Sequence, residues 1–267
     1  PDGKRVAYRA VSQGNSDIWV YDLERDIPTR LTYDQGGSPT WSPDGLWVAF
    51  QSGRRVTDDI YMKASDGSGD AELLVGGPDL EFPESWSPDG RHFIYNRVVL
   101  GTDLWYVPLR NEAGTVTVEG SPQVFLRTQF DESGGRLSPD GHYLAYQSNE
   151  SGQTEVYVRP FPEGSGKRQV SSGGGTTPMW NPEGGELFYV SQGATMTVPV
   201  ETDGTFQPGR SYKLFDAPAN VNLYSFDVSR DGRRFLAAQQ QAREVEERPQ
   251  TIITVVENWA KEFEDQN

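Results

Sequence analysis

Carboxylates are the commonest reactive side chains in this sequence, and they recur at fixed places. Asp2, Asp44, Asp89, Asp140, Glu183 and Asp231 each sit in a Pro-Asp-Gly turn or a close variant of it. A second set, Asp17, Asp59, Asp103 and Glu155, introduces short apolar runs. Two carboxylates converging in one cleft would suit glycoside hydrolysis, and several spaced oxygens would suit a hard cation. Acids that appear once per repeat are instead spread out by the repeat itself, so their expected task is to bind turn and loop amides. His92 and His142 each follow a turn at the start of a strand and are expected to face solvent. With no cysteine, thiolate metal sites, disulfides and a cysteine nucleophile are excluded. No Gly-x-Ser-x-Gly elbow occurs, and Asp66-Gly67-Ser68-Gly69-Asp70 lacks the spacing and terminal Glu of a calcium loop, so it reads as a hairpin tip. Neither a catalytic residue nor a metal or cofactor site is assigned.

The elements that hold these acids come from one repeated unit. Its turn appears as Pro1-Asp2-Gly3, Ser42-Pro43-Asp44-Gly45, Ser87-Pro88-Asp89-Gly90, Ser138-Pro139-Asp140-Gly141, Asn181-Pro182-Glu183-Gly184 and Ser229-Arg230-Asp231-Gly232, at intervals of 42, 45, 51, 43 and 48 residues. Pro pre-sets the turn, Ser and Asp bond nearby amides, and Gly accepts positive φ, so each copy joins two antiparallel strands. A bulky apolar residue precedes most copies: Trp41, Trp86, Leu137, Trp180, Val228. Trp41, Trp86 and Trp180, at the same strand position in three copies, read as packing between repeats rather than as a sugar platform. An apolar run such as Val48-Ala49-Phe50 follows the turn, then an acid-led strand such as Asp59-Ile60-Tyr61-Met62, then a shorter polar edge such as Leu73-Leu74-Val75. A four-strand unit near 45 residues is a propeller blade. The expected fold is all-β, a six-bladed β-propeller of four-stranded antiparallel blades over residues 1–259. The first blade lacks its inner strand and the last its edge strand, and residues 260–267 form an acidic tail. Opening at Pro1, inside the motif, the chain reads as a piece of a longer protein.

Composition agrees. Hydrophobic residues make up 35% of the 267, with 12 Tyr, 12 Phe and 7 Trp, a load that suits strands. A formal charge of −15 repels phosphate backbones and anionic headgroups, so no nucleic-acid partner is expected. No apolar run reaches the length of a membrane span.

The Trp-Ser-Pro-Asp-Gly turns with their Ala-Phe/Tyr and Asp-Ile-Trp/Tyr strands resemble the TolB-like propeller repeat, a relative of WD-type repeats. In the second half, Arg159-Pro160-Phe161-Pro162, Gly173-Gly174-Gly175, Pro178-Met179-Trp180, Met196-Thr197-Val198-Pro199-Val200 and Ile253-Thr254-Val255-Val256-Glu257-Asn258-Trp259 follow in order. That succession is similar to the C-terminal propeller of bacterial membrane-anchored serine/threonine protein kinases. The resemblance implies a sensor or scaffold region on the extracytoplasmic, periplasmic side of a membrane. The kinase motifs themselves, a Gly-x-Gly-x-x-Gly loop, His-Arg-Asp and Asp-Phe-Gly, are missing from these residues.

What remains for function are the loops entering each inner strand and the companion connections between second and third strands. They vary from copy to copy, and such rims carry function on rigid scaffolds. Tyr33, Asp34, Glu81, Phe82, Phe130, Asp131, Glu132, Asn222 and Tyr224 mix aromatics with acids, while Arg9, Arg54, Arg55 and Arg97 are expected in the companion loops. That mixture suits a peptide or protein segment. The expected function is a non-catalytic binding module of a signalling kinase. The alternatives are a TolB-type peptide-binding scaffold of the periplasm and the gating propeller of a serine peptidase.

Overall fold

The computed structural model describes residues 1–12, 14–33, 35–112, 114–218, 221–239 and 252–256, and these residues form strands and turns without a helix. The polar insertion from residue 240, Trp259 and the acidic tail at 260–267 lie outside them. Six antiparallel sheets follow one another along the chain. The first holds β1 (Arg5–Ser12), β2 (Asn15–Asp22) and β3 (Ile27–Arg30); the second β4 (Gly37–Trp41), β5 (Trp47–Ser52), β6 (Asp59–Ala64) and β7 (Glu72–Val75). The third holds β8 (Leu80–Trp86), β9 (His92–Val98), β10 (Thr102–Glu112), β11 (Thr115–Val118) and β12 (Gln123–Leu126). The fourth holds β13 (Glu132–Leu137), β14 (Tyr143–Ser148), β15 (Glu155–Pro160) and β16 (Arg168–Gln169). The fifth holds β17 (Thr176–Trp180), β18 (Glu186–Ser191), β19 (Ala194–Glu201), β20 (Gln207–Pro208) and β21 (Tyr212–Asp216), and the sixth β22 (Val221–Val228), β23 (Phe235–Gln239) and β24 (Ile252–Val256).

Uniform four-stranded blades are therefore not what forms. The third and fifth sheets have five strands because β10 and β19 run on past the sheet and pair again with β11 and β20. These are the copies with the two longest intervals, 51 and 48 residues, so the surplus length builds a hairpin. Among the described residues the first and last sheets have three strands each.

The turn works as its residues require. Gly45 N–H donates to the Ser42 carbonyl at 3.0 Å with Gly45 at φ 71°, and the Ser42 hydroxyl donates to Asp44 at 2.6 Å while accepting from Trp47 N–H at 2.9 Å. Asp44 also accepts from Leu46 N–H at 3.0 Å. The same set recurs at Ser87/Asp89 and Ser138/Asp140. Burial works against Asp44, but the Ser42 hydroxyl and the Leu46 amide hold its carboxyl below the usual range.

There is no single central core; the core is divided among the junctions. Five apolar clusters each join one sheet to the next, such as Ala49, Ile60 and Met62 with Trp86, Phe93 and Tyr95. Trp86 and Trp180 are buried in such junctions, and the Trp180 indole N–H donates to the Arg136 carbonyl of the preceding sheet at 2.9 Å. Inner strands pack in succession, β4 on β8, β8 on β13, β13 on β17 and β17 on β22. Gly3 of the first turn lies beside Arg234 of the last, whose Nη2 is 4.0 Å from where a Gly3 Cβ would be, so the succession returns to its start. One histidine departs from expectation. His142 is exposed, but His92 is half-buried because Phe161 of the next sheet covers it, with ring centroids 5.2 Å apart. Burial lowers its pKa despite the nearby Asp89.

Candidate functional site

The repeated acids are bound within their own loops. Asp17 accepts from Arg30 Nη2 at 2.5 Å, and Asp59 from Gly77 N–H at 3.2 Å with Arg55 at 3.5 Å. Asp103 faces Arg127 at 3.4 Å. Glu155 accepts from Gly173 and Gly174 N–H at 2.9 and 2.8 Å, from Gln153 Nε2 at 2.6 Å, and from the Ser171 hydroxyl. In each case the third-strand acid pins the segment that enters the next inner strand. No group of three or more His, Asp or Glu among the described residues is arranged to hold a metal ion.

The proposed rim residues divide into three groups. Tyr33 and Arg54 line one cavity of about 320 Å³ between the first and second sheets, where Tyr33 is 65% exposed and Arg30 lies 4.6 Å over its ring. Glu81 and Arg97 form a buried pair at 3.1 Å, and Arg97 stacks 4.3 Å over Trp105. Arg97 and Arg9 lie within β9 and β1 rather than in loops, because the flanking residues keep pairing to the strand ends. Phe82 is half-buried on β8, and Arg55 is engaged by Asp59. The third group sits between the third and fourth sheets. Here Phe130 is half-buried, Asp131 accepts from Thr102 N–H at 3.0 Å and from Asn149 Nδ2 at 3.1 Å, and Glu132 is buried. Asp34 lies outside the described residues; Asn222 and Tyr224 lie on β22, their side chains outside that description.

Glu132 lacks the counter-ion that Glu81 has. Glu81 is the Cα partner of Arg97, and at the equivalent place Glu132 is the partner of Ser148. The arginine is gone, so Glu132 keeps only the Thr128 hydroxyl on Oε1, and its Oε2 has no partner. Burial raises its pKa, Thr128 opposes this, and Asp103 and Glu150 raise it further. A carboxyl raised in the fold costs stability once pH climbs above its unfolded value, because ionising it there is harder. Glu132→Gln is therefore expected to stabilise the fold at pH 8 by ~1 kcal/mol, or ~2–4 °C in melting temperature, with little gain at pH 5. Thermal melts of both proteins at the two pH values read this directly.

Sequence reasoning missed two features. On the inner strands, Glu84 of β8 accepts from Arg136 Nη1 of β13 at 3.1 Å and from Gly134 N–H at 3.0 Å. Burial raises Glu84, with Arg136 acting against it. The second is a cavity of about 330 Å³ on the loop face, spanning the fourth to sixth sheets and lined by Thr154, Gly174, Val190, Gln192, Ala217 and Leu223 among others. Its sequence signal is the loss of the third-strand acid in the fifth copy, which looks like mere divergence until the register is known.

The family described as the TolB beta propeller domain matches residues 1–109. A solved structure, TolB from Acinetobacter baumannii, superposes with a TM-score of 0.67 at 17% identity, covering 96% of this chain and 62% of that one. The fold is a TolB-like β-propeller. An uncharacterized protein of Agrobacterium fabrum is 30% identical to this propeller over 157 residues, 55% of this chain and 52% of its own. The uncharacterized peptidase YuxL of Bacillus subtilis is 35% identical over 104 residues, 35% of this chain and 16% of its own. The propeller thus spans about half the length of the first of these relatives and a smaller part of the second.

Proposed function

We propose that this propeller is a non-catalytic module that binds an extended protein or peptide segment on its loop face. The observation that carries the reading is how the repeated acids are used: Asp17, Asp59, Asp103 and Glu155 each bond their own sheet's loop, so none is left to share a reactive cleft. What the loop face offers instead are the exposed Tyr33 ring, a mixed polar cavity beside it with Arg54, Lys63 and Asp70, and the mostly apolar cavity at Val190, Ala217 and Leu223. Immobilised extended peptides are expected to retain the purified protein, and Tyr33→Ala combined with Phe130→Ala to weaken retention by about tenfold, the scale of an interface anchor. Turnover of ester, peptide or glycoside substrates, abolished by substituting one of the four acids, would overturn the reading.

In its fuller form the module is the sensor region of a membrane-anchored serine/threonine kinase, lying on the extracytoplasmic side. The match to a peptidase supports a second reading, a propeller that gates a hydrolase. The complete coding sequence separates the two: a kinase domain followed by a membrane span supports the first, a serine hydrolase domain the second.

A further inference from the structure

We infer that the cavity spanning the fourth to sixth sheets is a receptor for an uncharged, apolar side chain carried on an extended partner segment; this rests on the binding reading above. The junctions between sheets can be compared position by position. At the second-to-third junction the acid of the third strand, Asp59, stands with Glu81, the residue that opens the next inner strand. At the third-to-fourth junction the same two places hold Asp103 and Glu132. At the fifth-to-sixth junction they hold Ala194, the Cα partner of Ser191, and Val221, the partner of Gln239. A doubly charged junction has become an apolar one at the same cross-strand pairing position, although the register of β22 shifts between Asn222 and Phe226, so that Val221 stands eight residues before the turn at Ser229 where Glu81 and Glu132 stand six before theirs.

The loop above has changed too. The connection between second and third strands covers residues 53–58 in the second sheet and 149–154 in the fourth, but only Gln192 and Gly193 in the fifth. Both have positive φ, 50° and 79°, as a tight two-residue hairpin requires. Short loop and missing acids together leave the cleft open. Val190, Ala217, Val221 and Leu223 supply its apolar wall, and among the described residues no ionisable side chain lines it. On a chain of net charge −15 that neutrality is local and selects an uncharged group.

Its size and edges point to a peptide. A volume of about 330 Å³ is at the lower end of ligand sites, enough for one side chain and its flanking backbone. A Cβ built on Gly193 meets nothing within 4 Å, and one on Gly174 meets only the Ser191 hydroxyl at 4.0 Å, so another main chain can approach closely there. Gln153 and Gln192 stand at the rim; their amide nitrogens already donate to Glu155 at 2.6 Å and to the Gly173 carbonyl at 3.4 Å, so it is their amide oxygens that would accept from a partner main chain.

The probe is acetyl-Gly-Leu-Gly-amide, with acetyl-Gly-Glu-Gly-amide as its charged counterpart, titrated against isotope-labelled protein by amide NMR. Saturable shifts are expected at Gly174, Gly193, Ala217 and Leu223 with the leucine peptide, and about tenfold weaker binding with the glutamate peptide. Val221→Glu introduces the acid that Glu81 and Glu132 supply at the second-to-third and third-to-fourth junctions and is expected to abolish the leucine response. Ala217→Leu fills the cleft from its rim and should do the same if the first variant fails to fold. Equal response to both peptides, or shifts that persist in Ala217→Leu, overturns the inference. A partner segment retained equally by wild type and Ala217→Leu also overturns it but leaves the loop-face reading standing, whereas loss of retention on Tyr33→Ala and Phe130→Ala tests that reading alone.

Discussion

Replacing Glu155 with alanine is expected to lower the unfolding free energy by about 3–5 kcal/mol, visible as a shift of the urea midpoint with little change of slope. The carboxylate is 1% exposed and accepts from four donors: two glycine amides, the Ser171 hydroxyl and the Gln153 amide. Hydrogen bonds to a charged group are worth more than neutral ones, and alanine would leave the Gly173 and Gly174 N–H groups without their acceptor. Ser171 would keep one task, accepting from Val156 N–H at 2.7 Å. Glu155→Gln retains an acceptor oxygen and should cost about half as much. The measurement also bears on function. Residues kept for catalysis commonly sit in strained or poorly satisfied settings, so removing them tends to spare or raise stability. A loss below about 1 kcal/mol would mean that the loop amides turn readily to water, and the structural role given to these acids would fail.

The turn and its sequel were legible because their signal is local. Ser-Pro-Asp-Gly specifies its own hydrogen bonds within five residues, and the Ser42, Asp44 and Trp47 contacts are those the residue types require. The apolar run of Val48-Ala49-Phe50 and the acid of Asp59 fall on the strands expected of them. The additional strands β11 and β20 were legible only as surplus length, although Thr115-Val116-Thr117-Val118 alternates and buries Val116 against the second sheet; a four-residue alternation is too short to separate a strand from a loop without its partner. Side-chain destinations were harder. Arg97 reads as a rim cation, yet it is two residues from Tyr95 on the same strand face and folds back over Trp105 to meet Glu81. Those contacts join residues 16 and 8 positions apart, through a pairing register that the linear sequence does not state. The cleft at Ala194 and Val221 was hidden for the same reason: an absent charge is noticed only when its counterparts in other sheets are superposed.

Arg97→Ala should be comparably damaging, at about 3–5 kcal/mol near pH 7, because it strands a buried carboxylate. Glu81 is wholly buried, and burial raises its pKa even with Arg97 beside it and pulling it down; Asp59 and Asp79 add to the rise. Without the guanidinium the rise grows. Such a penalty is absent while the carboxyl is protonated in both folded and unfolded states, and it accumulates as pH climbs above the unfolded value. The variant should therefore melt far below wild type at pH 8 and much closer to it at pH 5, the remaining gap reflecting lost stacking on Trp105. Adding Glu81→Gln should return most of the stability at pH 8. An equal deficit at both pH values, unmoved by Glu81→Gln, would assign the loss to packing and not to charge. The fourth sheet already holds the comparison, since Glu132 faces Ser148 where Glu81 faces Arg97. Both carboxyls are raised by burial, so both carry a penalty at high pH, and the counter-ion sets its size: Glu132→Gln is expected to gain more stability from pH 5 to pH 8 than Glu81→Gln in the wild-type background, and equal gains would remove Arg97 from the account.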